Sequence, residues 1–86
     1  FVKVDDDTFI FEGKVLLNDV LRIIDENPDY FDNFRGDADS MAGLILELTG
    51  KLPKLHYELK IGKYLMRVKG VNKRRIEQVR VTRLEK

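Results

Sequence analysis

One stretch, Ser40-Met41-Ala42-Gly43-Leu44-Ile45-Leu46-Glu47-Leu48-Thr49-Gly50-Lys51-Leu52-Pro53, contains the start, the stop and the packing surface of a short helix. Ser40, or Asp39 before it, has a side-chain oxygen that accepts from the first free backbone N–H groups of a helix. Gly50 suits the left-handed residue just past the last turn, and Pro53 prevents the helix from resuming. Leu44, Ile45 and Leu48 lie three and four apart and predict one buried face, which Leu46 widens. Gly43 occupies the first turn, where a better helix former would stabilise it, so another backbone is expected to pass close by.

The surrounding sequence changes its period in an orderly way. Phe1 to Val4 reads as extended, Asp5-Asp6-Asp7 as a polar turn, and Thr8 to Glu12 as a strand rich in β-branched and aromatic residues, so the first twelve residues predict a hairpin. Asn18 is placed to cap a helix whose buried stripe is Val20, Leu21, Ile23 and Ile24, and Pro28 is expected to end it. An acidic connector from Asp29 to Asp39 follows; its Tyr30, Phe31 and Phe34 predict a segment pinned against the domain or a partner. After Pro53, Leu55, Tyr57, Leu59 and Ile61 alternate with His56, Glu58 and Lys60, which predicts a strand with one buried face. Gly62-Lys63 turns the chain, and Tyr64, Met66 and Val68 alternate with Leu65, Arg67 and Lys69 on the return strand. Asn72-Lys73 is a second turn before a last strand from Ile76 to Leu84. Ile76 and Val79 are three apart, and a bulge near Glu77-Gln78 would bring both to one face. The fold class is therefore α+β: a small antiparallel sheet, made of a three-stranded C-terminal meander plus an N-terminal strand or hairpin, packed with two short helices.

Eighty-six residues predict one domain, residues 1–86, burying about 60–65% of the surface its unfolded chain exposes. No apolar run approaches the roughly 20 residues that span a bilayer as a helix. With no cysteine, disulfide, thiolate and cysteine-ligated metal chemistry is excluded, which fits a cytoplasmic setting. The chain begins at Phe1 with no signal-like segment, as expected of a piece of a longer protein. The net charge of +1 hides a strong asymmetry: residues 1–43 hold eleven acidic and four basic side chains, and residues 44–86 hold four and twelve. Such halves point to an internal attraction, a dimer that pairs unlike faces, or a charged partner, or equally to opposite charges that flank each other on a solvated surface.

Residues able to do chemistry are few. His56 is the sole histidine, and its place in the alternation directs it to solvent without partners. Asp5-Asp6-Asp7 reads as a polar turn more readily than as a cation site. Asp29, Asp32, Asp37 and Asp39 fail the calcium-loop template, since counting from Asp37 puts Ala42 at the sixth position and Leu48 at the twelfth. No phosphate loop and no nucleophile–base pair stands out, so no catalytic residue and no metal site is expected, and the chain is not expected to be an enzyme. Arg67, Lys69, Lys73, Arg74, Arg75, Arg80, Arg83 and Lys86 are predicted to gather on one sheet face. Such a cluster neutralises phosphates in nucleic-acid binders, but only Tyr57 and Tyr64 are near enough to stack a base. A solvated sheet face, or one turned toward acidic residues of a sister domain, is the stronger expectation, and no nucleic acid is expected.

The Ser40–Pro53 stretch, with its Ala-Gly-Leu-Ile-Leu-Glu-Leu core, resembles the central signature of the transporter-associated, or CorC/HlyC, domain. Phe9-Ile10-Phe11-Glu12-Gly13, Asn18-Asp19-Val20-Leu21, and Tyr64 to Val71 with Arg74-Arg75-Ile76 and Val79-Arg80-Val81 are similar to its first strand, first helix and final hairpin. The family usually has Thr at Ser40 and a Gly near His56; the second departure leaves the turn before the next strand open. The resemblance implies a fold similar to the FAD-binding/transporter-associated domain class, with Gly13, Ser40, Gly43, Gly50 and Pro53 as structural signature residues. It implies the C-terminal module of a hemolysin-like, multi-pass membrane protein, at the cytoplasmic face of the membrane. There the module would modulate magnesium or cobalt transport through contacts with CBS and transmembrane domains or a homodimer partner. Arg67, Lys69, Arg74, Arg75, Arg80 and Arg83 form its possible interaction surface. No cofactor is predicted; FAD or another adenine nucleotide is the alternative that the fold similarity raises, and nucleic acid comes below it.

Overall fold

The last strand in the chain lies at the centre of the sheet. In the computed structural model, which describes residues 1–84, β1 (Val2–Asp5) and β2 (Thr8–Glu12) form the N-terminal hairpin. Three helices follow, α1 (Leu17–Ile23), α2 (Asp32–Arg35) and α3 (Met41–Thr49), and then β3 (Glu58–Ile61), β4 (Tyr64–Val71) and β5 (Ile76–Arg83). The order across the sheet is β1-β2-β5-β4-β3, with every neighbouring pair antiparallel. Strand β5 thus joins the hairpin to the meander, and the α+β architecture is as expected, with α2 as an additional turn of helix.

The register separates the two faces of the sheet. Phe9, Val81, Met66 and Leu59 form one row of partners across four strands, and Phe11, Val79 and Val68 form the next. These rows face the helices, whose Leu17, Val20, Leu21, Ile24, Met41, Leu44 and Ile45 complete one apolar core. Phe31, from the acidic connector, is fully enclosed in it, so the aromatics of this segment pin it to the domain. The expected bulge is present: between Gly70↔Gln78 and Val71↔Ile76 the strand β5 holds one extra residue, Glu77, and Ile76 and Val79 both turn inward.

Helix α3 begins and ends as its sequence requires. The Ser40 hydroxyl accepts from Gly43 N–H at 3.0 Å, and Gly50 takes the left-handed conformation with φ of 74°. Two expectations within it fail. Leu48 is 41% exposed, because Met41 rather than Leu48 completes the buried stripe with Leu44 and Ile45. No remote backbone meets Gly43, where an added Cβ would touch only Ala38 and Ser40 of the adjoining turn at 3.2 Å. The close backbone approach occurs at Gly13. A Cβ there would overlap the Ile76 carbonyl, and the Gly13 backbone bonds to Glu77 O at 2.8 Å and to Ala42 N at 2.9 Å.

Helix α1 departs from the expectation at both ends. Asn18 is not its cap: Leu16 occupies that position with no side-chain cap bond. The free Leu17 N–H is satisfied instead by the Asp39 carbonyl at 2.8 Å, within an isolated bridge between Leu16 and Ser40. Nor does Pro28 end it. The chain turns off at Asp25, with φ of 58°, while Asp25 N–H bonds to Arg22 O and Glu26 N–H to Leu21 O at 2.8 Å. That pair of bonds is a Schellman closure with aspartate where glycine is usual.

Strand β3 is shorter than the alternation predicts. Leu55 and Tyr57 are 48% and 44% exposed, because Lys54–Tyr57 is a turn, closed by Tyr57 N–H on Lys54 O at 3.1 Å. His56 sits in this turn with φ of 72°, a conformation that costs a side-chain-bearing residue about 1–2 kcal/mol.

Candidate interaction surface

The outer face of the sheet, opposite the helices, brings charge and apolar surface together. Val2, Ile10, Arg80, Arg67 and Glu58 are successive register partners across all five strands. Thr8, Thr82, Leu65 and Lys60 form the neighbouring row. Ile10 and Leu65 are half-buried yet do not belong to the core or to the residues packed on it. The signal for Leu65 was its place in the polar phase of β4, between Tyr64 and Met66, where a solvated face would carry a polar side chain.

Arg67 and Arg80 stand directly opposite each other on β4 and β5. Among the described residues neither forms an ion pair within 4 Å, and the enclosed Arg67 Nε has no hydrogen-bond acceptor. Asp5, at the end of β1, has its carboxyl lowered mainly by the Asp7 backbone N–H, with the Arg80 charge as the least contribution.

The other predicted surface residues lie elsewhere. Lys69 is the extra residue of a second irregularity, between Val68 and Gly70. Lys73, Arg74 and Arg75 are exposed in the β4–β5 turn, where Asn72 Oδ1 accepts from the Arg74 and Arg75 N–H groups at 2.9 Å each. This turn borders an open cleft of about 310 Å³ whose lining includes Glu12, Gly13, Lys14, Arg75 and Glu77. Arg83 does not join Arg67 and Arg80 on one face. Its parity with Val79 and Val81 turns it to the helix side, where Nη2 donates to the Ile24 carbonyl and, at 3.4 Å, to the Tyr64 hydroxyl. Lys86 lies outside the described residues. The basic residues therefore form a pair on the outer face, a cluster at the turn and an inward arginine.

Arg83 belongs to a polar network that no sequence motif announces. Tyr64 Oη donates to Glu26 Oε1 at 2.8 Å, and Lys63 Nζ pairs with the same oxygen at 2.8 Å. Tyr30 Oη accepts from the Lys63 backbone N–H at 2.9 Å. Burial and the bond to Glu26 push the Tyr64 hydroxyl up to about 12. Burial pushes the Glu26 carboxyl up as well, but donation from Lys63 and Tyr64 outweighs it and leaves the carboxyl lowered. The network ties the end of α1 to the β3–β4 hairpin through Glu26 and to β5 through Arg83, and ties the connector to the hairpin through Tyr30.

Elsewhere the chemistry is sparse. His56 is exposed in its turn. Arg35 holds Asp32 and Asp39 at 3.9 and 3.8 Å, so part of the connector's acidity is neutralised internally. Among the described residues no group of three or more histidines or carboxylates is placed to hold a metal ion. No described helix is long and apolar enough to cross a membrane.

The sequence model of the CorC_HlyC family, the transporter associated domain, matches residues 2–85. The chain belongs to that family. This CorC_HlyC domain is 29% identical over 83 residues to the polyamine export protein of Salmonella typhimurium, covering 94% of the chain and 17% of that protein. It thus spans about a sixth of the length of the curated relatives it matches. Among solved structures, the transporter associated domain of a CBS domain protein from Porphyromonas gingivalis superposes with a TM-score of 0.85 at 28% identity, covering 95% and 94% of the two chains. The Mg²⁺ and Co²⁺ transporter (CorC) associated region of Neisseria meningitidis shares the fold, with a TM-score of 0.78 at 20% identity over 94% of each chain.

Proposed function

We propose that this CorC_HlyC domain is a non-catalytic regulatory module of a hemolysin-like, multi-pass membrane transporter, working at the cytoplasmic face of the membrane. It modulates transport through contacts with the CBS and transmembrane domains of the same protein or with a second copy of itself. The observation that carries this reading is the outer sheet face, where Arg67 and Arg80, without an ion pair among the described residues, are flanked by apolar side chains in a transporter-associated family. By contrast, the polar groups best placed for chemistry, Glu26, Tyr64 and Arg83, are engaged in holding α1 to the sheet. The cargo is a cation. Polyamines are named for relatives at 28–29% identity, which favours them over the magnesium or cobalt expected from the resemblance; the region named for those metals is 20% identical.

Binding of FAD or another adenine nucleotide is the second reading, and the Gly13–Arg75 cleft would be its site. Lys14 and Arg75 there suit a pyrophosphate, but the Glu12 and Glu77 carboxylates on the same walls oppose one. Thermal unfolding in the presence of FAD, ATP, Mg²⁺, Co²⁺ or spermidine separates the readings. A ligand at about 100 times its dissociation constant adds about 2.7 kcal/mol, a shift of several degrees in a domain of this size. The regulatory reading predicts an unchanged midpoint with all five, and a shift with FAD or ATP alone would replace it with a ligand sensor.

A further inference from the structure

The two outer rows of the sheet contain more than a solvated face requires. Like charges directly opposite on neighbouring strands destabilise a sheet, yet Arg67 and Arg80 are register partners without an ion pair among the described residues. Glu58 is the partner of Arg67 on the other side, and even so the enclosed Arg67 Nε–H donates no bond among the described residues, as is also true of Arg83 Nε on the helix side. The planar guanidiniums of Arg67 and Arg80, neither of them in an ion pair among the described residues, present paired donors that match a carboxylate. Beside this pair lie Ile10 and Leu65, half-buried, and Val2, 58% exposed. The face therefore offers a carboxylate-binding centre with apolar ground on both sides.

We infer that this outer face is the docking site for an acidic segment of another protein domain, whose carboxylates engage Arg67 and Arg80 while an apolar side chain rests on Ile10 and Leu65. The inference rests on the regulatory reading above and names the contact through which that regulation runs. Charge and geometry select the occupant. Lys60 and Glu58 both lie in this pair of rows on β3 and offset each other, so the net positive charge of the rows comes from Arg67 and Arg80. A second copy of this chain fits badly. Asp19, Asp29, Asp32, Asp37 and Asp39 belong to α1, α2 and their connectors, on the side of the sheet that the helices cover. Pairing unlike faces would therefore stack copies head to tail without closing, and pairing like faces would bring four guanidiniums together. Nucleic acid fits badly too, because neither outer row holds an aromatic side chain for a base to stack on.

The test is a titration of the ¹⁵N-labelled domain followed by amide chemical shifts. The probes are the blocked peptide DEILDE, its charge-reversed counterpart KKILKK, phosphatidylglycerol vesicles and a ten-nucleotide single-stranded DNA. The expected result is that DEILDE shifts the amides of Ile10, Leu65, Arg67 and Arg80, that KKILKK does not, and that R67Q/R80Q weakens the response at least tenfold. Both arginines lie outside the core, so this variant is expected to keep the native spectrum elsewhere. Ile10→Lys is a second variant, which blocks the apolar contact and spares both guanidiniums. The inference is overturned if DEILDE leaves these amides unmoved, if both variants respond like the native domain, or if vesicles or DNA shift the face more strongly than the peptide. A silent face in a domain whose removal still changes transport would overturn this inference alone and leave the regulatory reading standing.

Discussion

The Tyr64 hydroxyl donates to Glu26 Oε1 at 2.8 Å, linking two residues 38 positions apart. Lys63, the neighbour of Tyr64, pairs with the same oxygen, so one nearly enclosed carboxylate fastens the end of α1 to the β3–β4 hairpin. The Schellman turn at Asp25 is what aims Glu26 inward. Local backbone geometry at the end of α1 thus determines a long-range tie.

This tie makes stability depend on pH at both extremes. Burial raises the Glu26 value, but donation from Lys63 and Tyr64 overrides it, and the folded carboxyl ends below its ordinary 4.5. A depressed carboxyl contributes stability that is present above the unfolded value and is lost as pH falls through the folded one. Tyr64, raised from 10 to about 12 chiefly by burial, contributes stability that is complete below pH 10 and is lost as pH rises toward 12. Melting curves from pH 2 to 12 are expected to show both limbs. Glu26→Gln is expected to flatten the acid limb and to cost about 1–3 kcal/mol at pH 7.

Gly13 and Gly43 look alike in sequence but are expected to respond differently to alanine. A methyl on Gly13 would overlap the Ile76 carbonyl and sit 3.1 Å from the Ala42 Cβ, so Gly13→Ala is expected to cost about 2–4 kcal/mol by forcing the β2 end away from β5. Gly43→Ala meets only Ala38 and Ser40 at 3.2 Å, and the gain of about 1 kcal/mol in helix propensity offsets that crowding. Urea denaturation of the two variants checks the difference, and equal losses would contradict the packing assigned to Gly13.

His56 holds a left-handed conformation with its side chain exposed. Relieving that strain gains about 1–2 kcal/mol, and the extra freedom of an unfolded glycine returns about 0.5–1 kcal/mol of it. His56→Gly is therefore expected to stabilise the domain by about 0.5–1 kcal/mol in urea unfolding. A loss of stability would contradict the strain assigned to the left-handed backbone at His56.

The cap at Ser40 is a local device. Ser40→Ala removes the acceptor for Gly43 N–H and is expected to cost about 1 kcal/mol. Ser40→Thr, which keeps a capping oxygen, is expected to restore most of that in the same melting experiment.

What was legible in the sequence was what neighbouring residues decide among themselves. Ser40 and Gly50 bound α3, the alternation of Tyr64, Met66 and Val68 oriented β4, and the three-residue step from Ile76 to Val79 announced the bulge. The boundaries that failed depend on distant atoms. Helix α1 starts where Asp39 supplies a carbonyl to Leu17, and no pattern around Asn18 carries that information. It stops in a turn where aspartate does what glycine usually signals. The alternation through Leu55 and Tyr57 continued across a turn whose positive φ is held by His56, without the glycine that would have marked it. Of the candidate surface, the expectation that Arg83 joins Arg80 on one face overlooked strand parity, which puts residues three apart on opposite faces, and Leu65 lay in a polar phase. The pairing of Arg67 with Arg80, in contrast, needed the register, which follows from packing β5 at the centre of the sheet.

The most direct measurement is polyamine export by a chimera in which this chain replaces the matching segment of the Escherichia coli polyamine export protein, compared with the same protein lacking that segment. If the domain regulates transport through contacts, both proteins reach the membrane and their export rates differ by about fivefold or more, while the isolated domain binds no polyamine. Equal rates, or direct binding of polyamine by the isolated domain, would contradict the account.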